Sequence, residues 1–166
     1  MCVTVHRHKF YHHIYREIHR DVTRINATIP VNRLTDEHLL AEHREIKRLP
    51  ACLVKATKSG SINHIPDKFC LGRGHVTFFL DKMLYLLDRY HDIHDECLRR
   101  GFNVTDYSSN WSQVDSRYMN RYQPDVSVHN VVVNRIVDRL EKSPKTTWHY
   151  NGRKITKHDA IKLLDK

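Results

Sequence analysis

The stretch from His75 to Arg100 constrains the fold more than any other part of the chain. Val76, Phe79, Leu80, Met83, Leu86, Leu87, Tyr90, Ile93, Cys97 and Leu98 keep three-and-four spacing, the repeat that lays side chains along one face of an α-helix. Arg99 and Arg100 suit the negative end of the helix dipole, and Gly101 stands where a left-handed residue closes a helix. The spacing predicts one unbroken core helix over 75–100. Its apolar stripe must be covered, so the rest of the chain has to wrap it.

The flanking segments supply the cover. Thr35 to Arg48 reads as a helix capped by Thr35, with Asp36 and Glu37 in its first turn. Pro50 ends or bends it, and Ala51 to Lys58 add two turns before Ser59 and Gly60. A polar loop punctuated by Pro66, Gly72 and Gly74 follows. After 100 comes a turn-rich aromatic stretch (Tyr107, Trp111, Tyr118, Tyr122), then a helix from Asp125 to Lys142 that stops before Pro144. The tail carries Trp148, Tyr150, a turn at Gly152 and a short helix from Lys157. No strand pattern is legible. The expected fold is all-α: a compact single domain with a long central helix and two further helices packed across it.

Length supports one domain, since 166 residues bury a core without disulfide or metal staples. Residues 1–22 stand apart as an N-terminal extension to a 23–166 helical domain; they hold five of the fourteen histidines and no clean periodicity. They contain no apolar leader core, and no run in the chain is long enough to span a bilayer, so no membrane association is expected. Cys2, Cys52, Cys70 and Cys97 form no Cys-x-x-Cys and are expected as reduced thiols. His91, His94 and Cys97 recur every three residues, but three ligands on one helix without a distant fourth make a poor zinc signature. No metal or organic cofactor is expected.

Charge gives the first functional clue. Twenty-eight Lys and Arg against nineteen Asp and Glu leave +9, a surplus that suits a polyanion, nucleic acid before an acidic membrane surface. On a helical wheel, Arg44, Glu37, Arg48, Ala41, Glu45 and His38 fall within about 120°, with Leu39, Ile46 and Leu49 on the other side. In the 125–142 helix, Arg135, Arg139 and Lys142 lie within about 60°, opposite Val133, Ile136, Val137 and Leu140. Guanidiniums grouped in this way bond phosphate oxygens through a planar fork.

The residues carry a resemblance. Thr23-Arg24-Ile25-Asn26, then Glu37 to Glu45 (EHLLAEHRE), Leu71 to Phe79 (LGRGHVTFF) and Glu96 to Asn103 (ECLRRGFN) resemble the phage pyrimidine-dimer DNA glycosylase / AP lyase family. Arg135, Arg139, Pro144, Thr147, Trp148 and Gly152 fit its C-terminal pattern with small gaps, so the likeness covers about residues 23–155. The resemblance implies a compact helical enzyme that cleaves the glycosidic bond at a UV-induced dimer and then nicks the strand. It implies that Thr23 supplies an attacking α-amine and Glu45 the acid/base carboxylate, and that Arg24, His38, Arg44, Arg48, Arg135 and Arg139 hold double-stranded DNA. It further implies a monomer without an obligate protein partner, in the cytoplasm of a bacterial or phage-infected cell. Three departures bear on this. Glu37 replaces a DNA-contacting amide of the family and would repel phosphate, and Pro30 is an apparent insertion. A 22-residue extension left attached would turn the Thr23 amine into an amide. The alternative is then a nucleic-acid-binding or RNA-cleaving relative of the same fold.

Overall fold

The computed structural model describes residues 25–62 and 64–164. The expectations placed on residues 1–22, on Thr23 and on Arg24 lie outside the described residues.

Thr35 starts the first helix as expected. Its Oγ1 accepts from the His38 backbone N–H at 3.3 Å, satisfying one of the helix's orphan donors. Helix α1 runs Asp36–Ile46. Pro50 does not end the helical region; it sits in the first turn of α2, Leu49–Lys58, where the missing N–H costs nothing.

The long expected helix is two. Helix α3, Arg73–Phe79, stops at Leu80, and α4, Met83–Arg99, resumes after Lys82, whose backbone leaves the helical region at φ −121° and ψ 41°. The break is held from outside. The Asn120 side chain donates to the Asp81 carbonyl at 2.8 Å, the Asn120 carbonyl accepts from Tyr85 N at 3.3 Å, and Lys82 pairs with Met119. Three-and-four spacing survives across Leu80 to Lys82, so the apolar pattern gave no warning. The end of α4 matches expectation: Gly101 has φ +81°, and Phe102 N–H reaches back to the Cys97 carbonyl at 2.9 Å.

Helix α5 spans Val126–Lys142 and is capped by Asp125, which accepts from Val128 N at 3.0 Å. Two strands follow where none was expected. Strands β1, Thr147–Tyr150, and β2, Arg153–Thr156, pair antiparallel in the register Thr147↔Thr156 and Tyr150↔Arg153. Asn151 and Gly152, both at positive φ, make the two-residue turn between them. Helix α6, Lys157–Lys162, closes the described chain behind a Thr156–Asp159 capping box.

The fold is mostly helical. Its core joins Ile25 and Ile29 to Leu39 and Ile46 of α1, Phe78 and Phe79 of α3, Met83, Leu86, Tyr90 and Ile93 of α4, and Val132, Ile136 and Leu140 of α5. No helix among the described residues is long and apolar enough to cross a membrane.

Candidate active site

Helix α1 turns its charged side outward as the wheel required. Leu39, Ile46, Glu42 and His43 are buried, while Arg44 and Arg48 are exposed. Glu45 is recessed between them. Its side chain is 18% exposed against 58% for Arg48, and Arg48 Nη1 donates to Glu45 Oε1 at 3.2 Å. The structure therefore places one half-buried carboxylate beside guanidiniums that extend into solvent.

The segment before α1 is bound to the helix from beneath. Asn26 donates to Glu42 through its backbone N–H (3.0 Å) and its side-chain amide (2.8 Å). Arg89 of α4 holds the same carboxylate through Nε at 3.0 Å and Nη2 at 3.1 Å. At 100° per residue Glu42 falls among Leu39, Ile46 and Leu49. A charged residue in such a stripe signals a buried partner.

Arg135 and Arg139 part company on α5. The Arg135 guanidinium turns inward, donating to Asn26 Oδ1 and to the Ile25 carbonyl, whereas Arg139 is exposed. Burial, and then the neighbouring Arg139, lower the pKa of Arg135 to about 10, so it remains charged at neutral pH. His75 lies fully buried close to both arginines. Burial in the first place, then Arg135, hold its imidazole neutral with a pKa of about 3, and Nδ1 shares a hydrogen bond with the Cys70 carbonyl at 3.0 Å. Lys142, grouped with these arginines on the wheel, is paired with Asp138 at 2.6 Å.

His38 and Glu37 meet the hairpin. The His38 ring stacks on Trp148 with centroids 5.3 Å apart and 16° between planes, and Nδ1 shares a 3.0 Å hydrogen bond with Thr35 Oγ1. Glu37 does not confront the solvent as a bare negative charge. It accepts from the Lys145 ammonium, from His149 N at 3.1 Å and from His149 Nδ1 at 2.9 Å. Burial would raise its pKa, but these hydrogen bonds outweigh that effect and hold it at about 2. The Glu37 charge is thus paired within the protein by Lys145.

Glu45 and Arg48 touch, Arg44 adjoins them on the same helix, and Arg135 bonds the Asn26 segment that is tied to α1 through Glu42. His38 stands toward the hairpin end of α1. A recessed carboxylate bonded by one guanidinium, with a second exposed arginine on the same helix, is an arrangement able to meet a polyanion and to move a proton. The sequence model of the pyrimidine dimer DNA glycosylase family matches residues 22–109, and the chain belongs to that family. Its substrate is accordingly DNA. The match takes in Glu45, Arg44, Arg48, His38 and the Glu42–Arg89 pair; Arg135, Arg139 and the hairpin lie beyond it.

Proposed function

We propose that this protein cleaves the N-glycosidic bond at a UV-induced pyrimidine dimer and then nicks the same strand as an AP lyase, using the α-amine of Thr23 and the carboxylate of Glu45. The observation that carries this reading is the crossing of α1 by the 25–29 segment. Asn26 is fixed on Glu42, and Glu45 lies one turn further along the same helix. Three residues reach no more than about 10 Å, a span that is compatible with a Thr23 amine acting beside Glu45. The family match begins at Val22, one residue ahead of Thr23.

An α-amine suits the task. Its ordinary pKa of about 7.7–8.0 leaves a useful neutral fraction at pH 7, and nearby guanidiniums lower it further. The nitrogen lone pair attacks C1′ of the damaged nucleotide and the glycosidic bond breaks. The base leaves with the bonding pair and takes up a proton; the amine gives one up. Opening of the sugar ring then yields an imine between Thr23 and C1′. A proton is removed from C2′, its electron pair flows toward the imine, and the C3′–O bond breaks with the 3′ phosphate as leaving group. Water hydrolyses the remaining imine and frees the amine. Glu45 offsets the positive charge on the sugar and moves the protons. Arg44, Arg48, Arg139, His38 and Arg24 hold the duplex around the lesion.

Borohydride tests the reading, because hydride reduces the imine carbon and makes the link permanent. Protein beginning at Thr23 is expected to be trapped on UV-irradiated duplex DNA, with peptide mapping locating the bond on the Thr23 nitrogen. Protein beginning at Met1 is expected to give no adduct there, since an amide nitrogen shares its lone pair with the carbonyl. Folded, DNA-bound Thr23-initiated protein that yields neither adduct nor nick would overturn the proposal.

A further inference from the structure

The segment 25–29 is neither helix nor strand, so its backbone polar groups need partners from elsewhere. Glu42 and Arg89 provide them from the interior. The Glu42 side chain has no exposed surface and that of Arg89 is 8% exposed. Glu42 accepts four hydrogen bonds, two from Asn26 and two from Arg89. Arg89 spends its remaining arm on the Ile29 carbonyl at 2.7 Å. Tyr85 adds a bond to the Ala27 carbonyl. Asn26 is gripped by both its main chain and its side chain, which fixes register: a slip of one residue would present Ile25 or Ala27, neither of which has a side-chain amide to offer.

Neither charged group faces the outer surface of α1, and neither has a part in the bond changes described above. Chain termini are the least ordered parts of most domains unless tied down. A terminal amine used as a nucleophile therefore needs a tie close by, because attack requires approach to about 3–3.5 Å in a defined direction.

We propose that the buried Glu42–Arg89 pair is a positioning device: by fixing Asn26 it limits how far the Thr23 amine, three residues ahead in the chain, can stray during the reaction. This rests on the amine mechanism proposed above. Glu42 and Arg89 are positioning residues; they act through Asn26 and not on the DNA.

The test compares the protein, carrying the N-terminus the cell gives it, with Arg89→Lys and Asn26→Ala. Lysine keeps the charge but loses the two-pronged grip and the Ile29 contact. Asn26→Ala leaves the ion pair whole and guards against loss of the fold. Both variants are expected to raise amide exchange at residues 26–29 while α4 stays protected. Both should slow single-turnover cleavage of dimer-containing duplex about 10-fold to 100-fold with Kd within about twofold of the parent. The pH midpoint for borohydride trapping should rise as the amine escapes the guanidinium field. A purely structural role would lower the active fraction and leave the midpoint unmoved. Variants with parental rate and midpoint overturn the anchor alone. A parent that is never trapped overturns the amine mechanism, and the positioning role falls with it.

Discussion

Glu42 and Glu45 are three residues apart on one helix and have opposite fates. Glu42 lies among Leu39, Ile46 and Leu49 on the wheel, so it is buried and must be paired; Glu45 lies among arginines and meets solvent. Their environments, not their chemistry, separate the proposed anchor from the proposed proton-transfer group. Glu45→Gln is isosteric and removes one negative charge from the DNA-facing side. It should keep or strengthen binding to dimer-containing duplex while cutting glycosylase turnover by about 10²-fold, the scale of a general acid/base group. Parallel binding and single-turnover assays check both halves. Glu37 makes a separate prediction about stability. Its folded pKa of about 2 lies below the ordinary carboxylate value of 4.5. The contribution is therefore present in full above pH 4.5 and is lost as pH falls toward 2. The Tm gap between the parent protein and Glu37→Gln should be open at pH 7, narrow below 4.5 and close near 2. The sequence marked Glu37 as a departure but could not show its partners, because Lys145 and His149 are more than a hundred residues away. Distance along the chain hides pairs of this kind.

At the scale of elements, the caps and stops were legible and the contacts between elements were not. Thr35 and Gly101 each act where their local chemistry said they would, and Asp125, read as the first helical residue, caps α5 instead. The hairpin was missed although its turn was written plainly: Asn151-Gly152 is a strong two-residue turn signal. Strands of four residues are too short for alternation to show, and three of the four residues of β2 are exposed. The hairpin matters because it reinforces the start of α1. Asp36 accepts from the backbone of Asn151 (3.1 Å) and Gly152 (2.8 Å), and from Arg100 Nη1 at 2.8 Å. The Arg100 side chain is fully buried, with Glu96 its second carboxylate at 2.7 Å. Asp36→Ala would leave that guanidinium half-compensated and strip the turn of its acceptor. A loss of about 3 kcal/mol is expected, the cost of breaking a buried pair from one side. Urea unfolding checks it, and loss of the Trp148 stacking environment should appear in the fluorescence before the global transition.

Over the whole molecule the +9 surplus is sorted by face. Asp88, Asp92 and Asp95 lie on the exposed side of α4, which turns its buried side toward α1, while Arg44 and Arg139 are exposed and Arg48 extends into solvent past its contact with Glu45. A duplex meeting this field is oriented before contact, and its affinity should fall steeply with salt as counterions are released. Here the structure divides residues that the wheel had grouped. Arg44→Ala, Arg48→Ala and Arg139→Ala should each reduce the magnitude of the salt slope by about 0.9, the signature of one lost phosphate contact. Arg135 is committed inward to Asn26 and Ile25. Arg135→Ala should therefore leave the slope close to the parental value and lower thermal stability and single-turnover rate, because it loosens the segment that leads to Thr23. Titrations of damaged duplex at several salt concentrations, run beside thermal melts, separate the two behaviours. Should Arg135→Ala lower the slope as far as Arg139→Ala does, its guanidinium leaves Asn26 when DNA binds, and the inward arrangement belongs to the free protein only.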